Sequence, residues 1–180
     1  ETGIARHAAS ISQAAVELAS RIFADLSKRR ILLIGAGEMA ELAARNLVDH
    51  GVQELTVVNR SLDRATALAQ QFGGQALAWD LLPRALWRAD IVISSTAAPR
   101  AILGADLVSA AMRVRHNRYL FVIDIAVPRD VDPAVGKLSN VFLYDIDDLQ
   151  QVVDANLQLR RQEIPRVQAI IDHEGAAWMG

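Results

Sequence analysis

The chain has 180 residues, 52% of them hydrophobic, and a formal net charge of −2, so it suits one globular domain with a real core and has no overall attraction for nucleic acid. Cysteine is absent, which excludes disulfides, thiolate metal ligands and a cysteine nucleophile within this chain. Its apolar runs fall short of the ~20 residues that cross a bilayer and no signal-peptide pattern opens it, so a soluble cytoplasmic protein with no membrane partner is expected.

Glu1-Thr2-Gly3 begins abruptly, as if a larger protein had been cut there. Ile4, Ala8, Ile11, Ala15, Leu18, Ile22 and Leu26 then step by three or four residues, which predicts an amphipathic helix within residues 1–27. The basic run Lys28-Arg29-Arg30 leads into Ile31-Leu32-Leu33-Ile34, a short apolar run of the kind found in a parallel sheet covered on both faces.

That strand ends in Gly35-Ala36-Gly37-Glu38-Met39-Ala40, which fits G-x-G-x-x-A, a form of the dinucleotide-binding fingerprint. Gly35 permits the tight turn, Gly37 lets a pyrophosphate approach the backbone, and Ala40 lets the following helix pack close to the strand. Glycines of this spacing also occur in ordinary turns. Here a strand precedes them, and Met39, Leu42, Ala43, Leu47 and Val48 give the next helix an apolar face, so the nucleotide reading is favoured. The helix would offer its free N–H groups to the phosphates.

His50-Gly51 marks the end of that helix, and Leu55-Thr56-Val57-Val58 is a second, β-branched strand. An NAD site commonly places Asp or Glu after this strand, to accept the ribose 2′-hydroxyl. The chain has Asn59-Arg60-Ser61 there, with Arg64 one turn into the following helix. Guanidinium and hydroxyl groups suit a 2′-phosphate that a carboxylate would repel, which favours NADP. The alternative is that Ser61 only caps a helix running to Gln71 while both arginines are solvated.

Gly73-Gly74 breaks the chain before a short third strand, Ala76-Leu77-Ala78-Trp79, and a helix over 82–88. Trp79 and Trp87 are read as core and edge packing rather than as stacking platforms. Asp90-Ile91-Val92-Ile93-Ser94 is a fourth strand. Its exit, Ser95-Thr96-Ala97-Ala98-Pro99, is a loop of small residues at the edge where ligands bind; its hydroxyls suit a phosphate or ribose, and an ordinary tight loop explains them nearly as well.

A helix over 105–113 runs into the basic cluster Arg113, Arg115, His116 and Arg118, read as a solvated helix end and turn rather than an RNA contact. Tyr119-Leu120-Phe121-Val122-Ile123 is a fifth strand, followed by Asp124-Ile125-Ala126-Val127-Pro128-Arg129-Asp130, where Asp124 is assigned a structural role. Val141-Phe142-Leu143-Tyr144 makes a sixth strand, and residues 145–148 supply acids suited to a helix N-terminus. Leu149, Val152, Val153, Leu157, Ile164, Val167, Ile170 and Ile171 continue as a long helix whose stripe has no obvious partner in a sheet domain, which predicts self-association through it, with Pro165 kinking or breaking the helix. The histidines, His7, His50, His116 and His173, lack ligand-like spacing, so no metal is expected.

The fold class is therefore α/β: a doubly wound, mainly parallel Rossmann-type sheet with an N-terminal helix and a long C-terminal helix. Glu1-Thr2-Gly3-Ile4, Ala15-Val16-Glu17-Leu18-Ala19, the glycine turn, Asn59-Arg60-Ser61, Asp-Ile-Ala-Val-Pro-Arg-Asp at 124–130 and Tyr-Asp-Ile-Asp-Asp-Leu at 144–149 together resemble the NADPH-binding region of glutamyl-tRNA reductase. The last two motifs are far more specific than any glycine pattern.

The resemblance implies a linking helix over 1–27, an NADP-binding Rossmann domain over 28–146, and over 147–180 the start of a helix toward a dimerisation domain. It implies NADPH as cofactor and reduction of glutamyl-tRNA to glutamate-1-semialdehyde through an enzyme thioester, in tetrapyrrole synthesis. The catalytic cysteine of the family belongs to a further N-terminal domain, so no catalytic residue is expected in this chain. Glutamyl-tRNA is an implied partner through that domain, a homodimer is implied for the full-length protein, and glutamate-1-semialdehyde aminomutase is a candidate partner. The cofactor-binding candidates are Gly35, Ala36, Gly37, Glu38, Met39 and Ala40; Asn59, Arg60, Ser61 and Arg64; Ser95, Thr96 and Ala97; and Ile125 and Ala126. Ala97 stands where the family commonly has glycine, and Pro165 departs from its long connecting helix. A shikimate-dehydrogenase-like NADP oxidoreductase and a nonenzymatic NADPH-sensing module are the competing readings.

Overall fold

In the computed structural model, which describes residues 3–163, the run Ile31-Leu32-Leu33-Ile34 is buried throughout because its side chains alternate between two cores. Ile31 and Leu33 join one, Leu32 and Ile34 the other. This is why the sequence shows an unbroken apolar run instead of alternation.

The run belongs to β1 (Arg30–Ile34), followed in the sheet-forming order of the chain by β2 (Glu54–Val58), β3 (Gln75–Leu77), β4 (Ile91–Ser94), β5 (Leu120–Asp124) and β6 (Val141–Tyr144). All five pairings are parallel, in the order β3-β2-β1-β4-β5-β6. The doubly wound α/β class expected from the sequence is the one observed. The order reverses between β1 and β4, so the crevice at their C-terminal ends is the place where such sheets hold ligands.

The helices are α1 (Gly3–Ile22), α2 (Glu38–Asp49), α3 (Leu62–Gln71), α4 (Leu82–Arg88), α5 (Ala105–Val114) and α6 (Ile146–Glu163). Buried residues of α1, α2, α3 and α6 meet one face of the sheet, and those of α4 and α5 meet the other. His50 caps α2, its Nδ1 lying 2.8 Å from the Asn46 carbonyl. No helix among the described residues is long and apolar enough to cross a membrane.

Several expectations need correction. The buried stripe of α2 is Ala40, Ala43, Ala44 and Leu47, which lets the helix lie close to the sheet, while Val48 is exposed. β3 ends at Leu77, and Trp79 opens a short 3-10 turn. Arg115 is not solvated: it is buried, and its guanidinium donates to the carbonyls of Leu86, Trp87, Ala89, Arg118 and Tyr119. The C-terminal stripe does find a partner at its start, since Ile146, Leu149 and Val153 pack in the same core as α1. Its positions Ile164, Pro165, Val167, Ile170 and Ile171 lie outside the described residues.

Candidate functional site: a cleft at the switch point

Each turn that leaves the top of the central strands is locked to its neighbour. Gly35 N–H donates to the Val58 carbonyl, Ser95 N–H to Ile34 and Ile125 N–H to Ser94, all at 2.9 Å, so the sheet ladder continues into the loops. Gly35 has φ +112°, and a Cβ there would stand 3.0 Å from the Ser95 carbonyl oxygen. Only glycine fits that crossing.

Gly37 is different. It is the N-cap of α2 with no side-chain cap, and a Cβ built on it meets nothing within 4 Å. The N–H groups of the first turn of α2 have no intrahelical acceptor, and the space beside Gly37 is open, the arrangement that receives an anion. Ala40 is fully buried beneath this turn, serving close packing rather than the cleft.

At the end of β2, Ser61 caps α3 by accepting from Arg64 N–H at 3.3 Å, and Asn59 Nδ2 donates to the Ser61 carbonyl at 3.3 Å. The capping role is therefore real, but Arg60 is not simply solvated. Its guanidinium lies 4.6 Å from the centre of the Trp79 ring, making Trp79 the platform that the sequence reading denied it. Neither Arg60 nor Arg64 is in an ion pair among the described residues.

The loop after β4 is held from below by a buried carboxylate. Asp130 accepts from Ser94 Oγ at 2.6 Å, Thr96 N–H at 2.8 Å and Thr96 Oγ1 at 2.5 Å. The Thr96 hydroxyl also accepts from Ala98 N–H at 3.2 Å, so it shapes the loop, and the ordinary-loop alternative describes it better than a phosphate ligand does. Ser95 Oγ, buried against Gly35, has no hydrogen-bond partner among the described residues. Asp124 accepts from the N–H groups of Ala126, Asp130 and Val131 at 3.1, 2.9 and 2.9 Å, the structural role expected for it. Burial pushes its carboxyl above the usual range, and the nearby Asp130 carboxylate adds to this, against the pull of those three N–H bonds. Asp130 closes the 124–130 motif quoted from the sequence but was given no role there, because nothing local marks a carboxylate whose donors Ser94 and Thr96 lie more than thirty positions away.

Above these turns lies a cleft of ≈ 560 Å³. It brings together Gly35, Ala36, Gly37, Glu38, Met39, Asn59, Arg64, Ser95, Thr96, Ala97, Ile125 and Ala126, with a wall from α1 formed by Ile4, Ala8 and Ile11, read from sequence only as an amphipathic stripe, and by His7, read only as no metal ligand. A second cavity of ≈ 430 Å³ shares Asn59, Arg64, Thr96 and Ala97 and adds Arg60, Ser61, Trp79, Ala98 and Pro99. Of the candidates only Ala40 lines neither. Another cavity, ≈ 580 Å³, lies at the opposite ends of β1, β2 and β3 around Arg30, Glu54 and Gln75; Gly73 and Gly74 line it, but they lead into β3 and open no helix. Among the described residues no cluster of three metal-ligating side chains occurs.

A sequence model of the shikimate / quinate 5-dehydrogenase family matches residues 17–152. The chain belongs to that family. Within it, the resemblance to glutamyl-tRNA reductase extends over nearly the whole sequence. The chain is 50% identical to the glutamyl-tRNA reductase of Syntrophus aciditrophicus, the match covering 99% of this chain and 43% of that protein. It superposes on the glutamyl-tRNA reductase of Methanopyrus kandleri with a TM-score of 0.81 at 43% identity, over 93% of this chain and 42% of that one. The nucleotide-binding domain of the Thermoplasma volcanium glutamyl-tRNA reductase shares the fold, with a TM-score of 0.63 at 18% identity, over 84% of this chain and 96% of that one. The chain thus spans less than half the length of the first two relatives, and a shikimate-dehydrogenase-type domain is the family architecture it shares with the competing enzyme reading.

Proposed function

We propose that this chain is the NADPH-binding domain of a glutamyl-tRNA reductase, and that the full-length protein reduces glutamyl-tRNA to glutamate-1-semialdehyde for tetrapyrrole synthesis in the cytoplasm. The observation that carries the reading is identity of 50% and 43% to two such reductases along nearly all of this chain. The cleft fits a dinucleotide in three respects: Gly37 leaves room where a Cβ would stand, the N-terminus of α2 adjoins that room, and Arg60 and Arg64, after β2, line a second cavity whose described lining has no carboxylate. Bound NADPH supplies a hydride. Gly37 and the first turn of α2 would bind its pyrophosphate, Arg60 on Trp79 and Arg64 its 2′-phosphate, and Asp130 would hold the loop against which its far end lies. The chain has no cysteine, so the thioester chemistry and the tRNA are assigned to a domain beyond it, and α6 to the path toward a dimerising region. An aminomutase that takes up glutamate-1-semialdehyde is a fitting partner for the whole enzyme.

The test is turnover by the full-length gene product. Glutamyl-tRNA consumed with NADPH supports the proposal, and shikimate or quinate oxidised instead supports the competing reading that the family match keeps open. The purified chain alone is expected to reduce neither.

Cofactor choice has its own test. Replacing Arg60 and Arg64 together with alanine should weaken NADPH by about 2 kcal/mol, some thirtyfold, with little effect on NADH, because charge-assisted bonds to the 2′-phosphate are lost from one cofactor only. Equal weakening of both in fluorescence titrations would remove these arginines from the 2′ site.

A further inference from the structure

The wall of the cleft contributed by α1 carries a basic side chain that the proposed function does not use. Ile4, His7, Ala8 and Ile11 recur at helical spacing, so one stripe of α1 faces the glycine turn. Ile11 is buried at its lower end, and next to it Ser12 Oγ reaches the Met39 carbonyl at 3.5 Å, which fixes α1 over the start of α2.

Of the described residues lining this cleft, only His7, Glu38 and Arg64 are ionisable. Arg64 also lines the second cavity with Arg60, and so belongs to the ribose end. Glu38 is the first residue of α2, where its carboxylate suits the helix dipole but repels a phosphate placed on the same N-terminus. A pyrophosphate there meets an acid of the wrong sign, and the facing cation able to offset it is on α1. His7 and Glu38 form no ion pair in the structure, so the exposed imidazole is available to a ligand.

We propose that His7 is a cofactor-binding residue, its protonated imidazole donating to the dinucleotide pyrophosphate across from the N-terminus of α2. This rests on the cofactor reading above. The charged groups around the cleft are Glu38 from α2 and Arg64 from α3, while Arg6 adjoins His7 on α1 itself. α6 presents Ile146; its Asp147 is held by Arg129 at 2.7 Å and its Asp148 accepts from Asp145 N–H at 2.9 Å. A cationic imidazole holds a pyrophosphate more strongly than a neutral one, so affinity for the whole cofactor should be higher at lower pH.

The test is titration of NADPH into the chain and its His7→Gln and His7→Lys variants at about pH 6 and about pH 8.5. Adenosine 2′-monophosphate, which has no pyrophosphate, is titrated beside it, because the 2′-phosphate has its own second ionisation near pH 6. His7→Gln should bind NADPH about tenfold more weakly than the wild type at the lower pH, the worth of one charge-assisted hydrogen bond, and equally at the higher. His7→Lys should keep tight binding at both, and the monophosphate should bind all three proteins alike. Equal NADPH affinity of the wild type and His7→Gln at the lower pH overturns the proposal. So does an equal loss for NADPH and the monophosphate, which would make His7 a structural residue. A wild-type chain that binds neither NADPH nor NADH at either pH overturns the cofactor reading itself, a result distinct from loss of the His7 effect alone.

Discussion

Gly37→Val is expected to weaken NADPH by at least about 3 kcal/mol, a hundredfold, since the branched Cβ would hold the pyrophosphate away from two or three N–H donors of α2. The fold should survive. Gly37 has φ −90°, which any L-residue adopts, and among the described residues nothing beyond its own chain neighbours lies within 4 Å of the added carbon. Valine is a poor N-cap, so a loss of stability of about 1 kcal/mol is the expected limit. Gly35→Ala makes the contrast: at φ +112° and 3.0 Å from the Ser95 carbonyl oxygen, it should lose stability together with binding, by about 1–3 kcal/mol from the backbone alone. Calorimetry for affinity and thermal unfolding for stability separate the two roles. Undiminished affinity in Gly37→Val would move the cofactor away from this turn.

The difference between those glycines marks what the sequence could and could not convey. A strand buried on both faces writes itself as an apolar run, and a glycine turn followed by a helical stripe places the crevice, so β1, α2 and the position of the cleft were legible locally. The motif could not say that Gly35 is required by Ser95, sixty positions away, whereas Gly37 is required by nothing in the protein. Likewise Trp79 looked like packing, because its use depends on Arg60 arriving above it from another loop. The role of Asp130 was hidden for the same reason: its partners Ser94 and Thr96 are joined to it only through the pairing of β4 with β5.

Arg115 is the exception, since its sequence did carry a signal. Val108, Ala111 and Met112 are the buried residues of α5, and Arg115 follows at the next position of the same i, i+3, i+4, i+7 stripe. A charge-pattern reading grouped it with Arg113, His116 and Arg118 and so lost the face it occupies. Periodicity should outrank local charge at such a position. An arginine at the end of an apolar stripe has a long stem to bury and a head that needs acceptors.

Those acceptors make the last prediction. α4 ends at Arg88, and the final carbonyls of a helix have no intrahelical donor. Arg115 Nη1 donates to Leu86, Trp87 and Ala89 at 2.7, 3.3 and 2.5 Å, while Nε and Nη2 donate to Arg118 and Tyr119 at 3.1 and 2.7 Å. One guanidinium thereby ties the end of α4 to the entry of β5. Burial, and then the Arg118 charge, push it down to about 10, which still leaves it protonated at neutral pH, as the negative end of the helix dipole favours. Arg115→Met keeps the stem but strands several buried carbonyls at once, and should cost about 3 kcal/mol in urea unfolding. Arg118 limits the loss, since its Nη2 already reaches the Trp87 and Arg88 carbonyls at 3.2 and 3.4 Å. Arg115→Lys should recover only part, because an ammonium has no planar fork to reach both elements. NADPH affinity should be unchanged in both variants while they are folded, since Asp90 and Tyr119 beside this site lie at the opposite end of the strands from the cleft. A loss below about 1 kcal/mol in Arg115→Met would show that water satisfies these carbonyls as well as the guanidinium does.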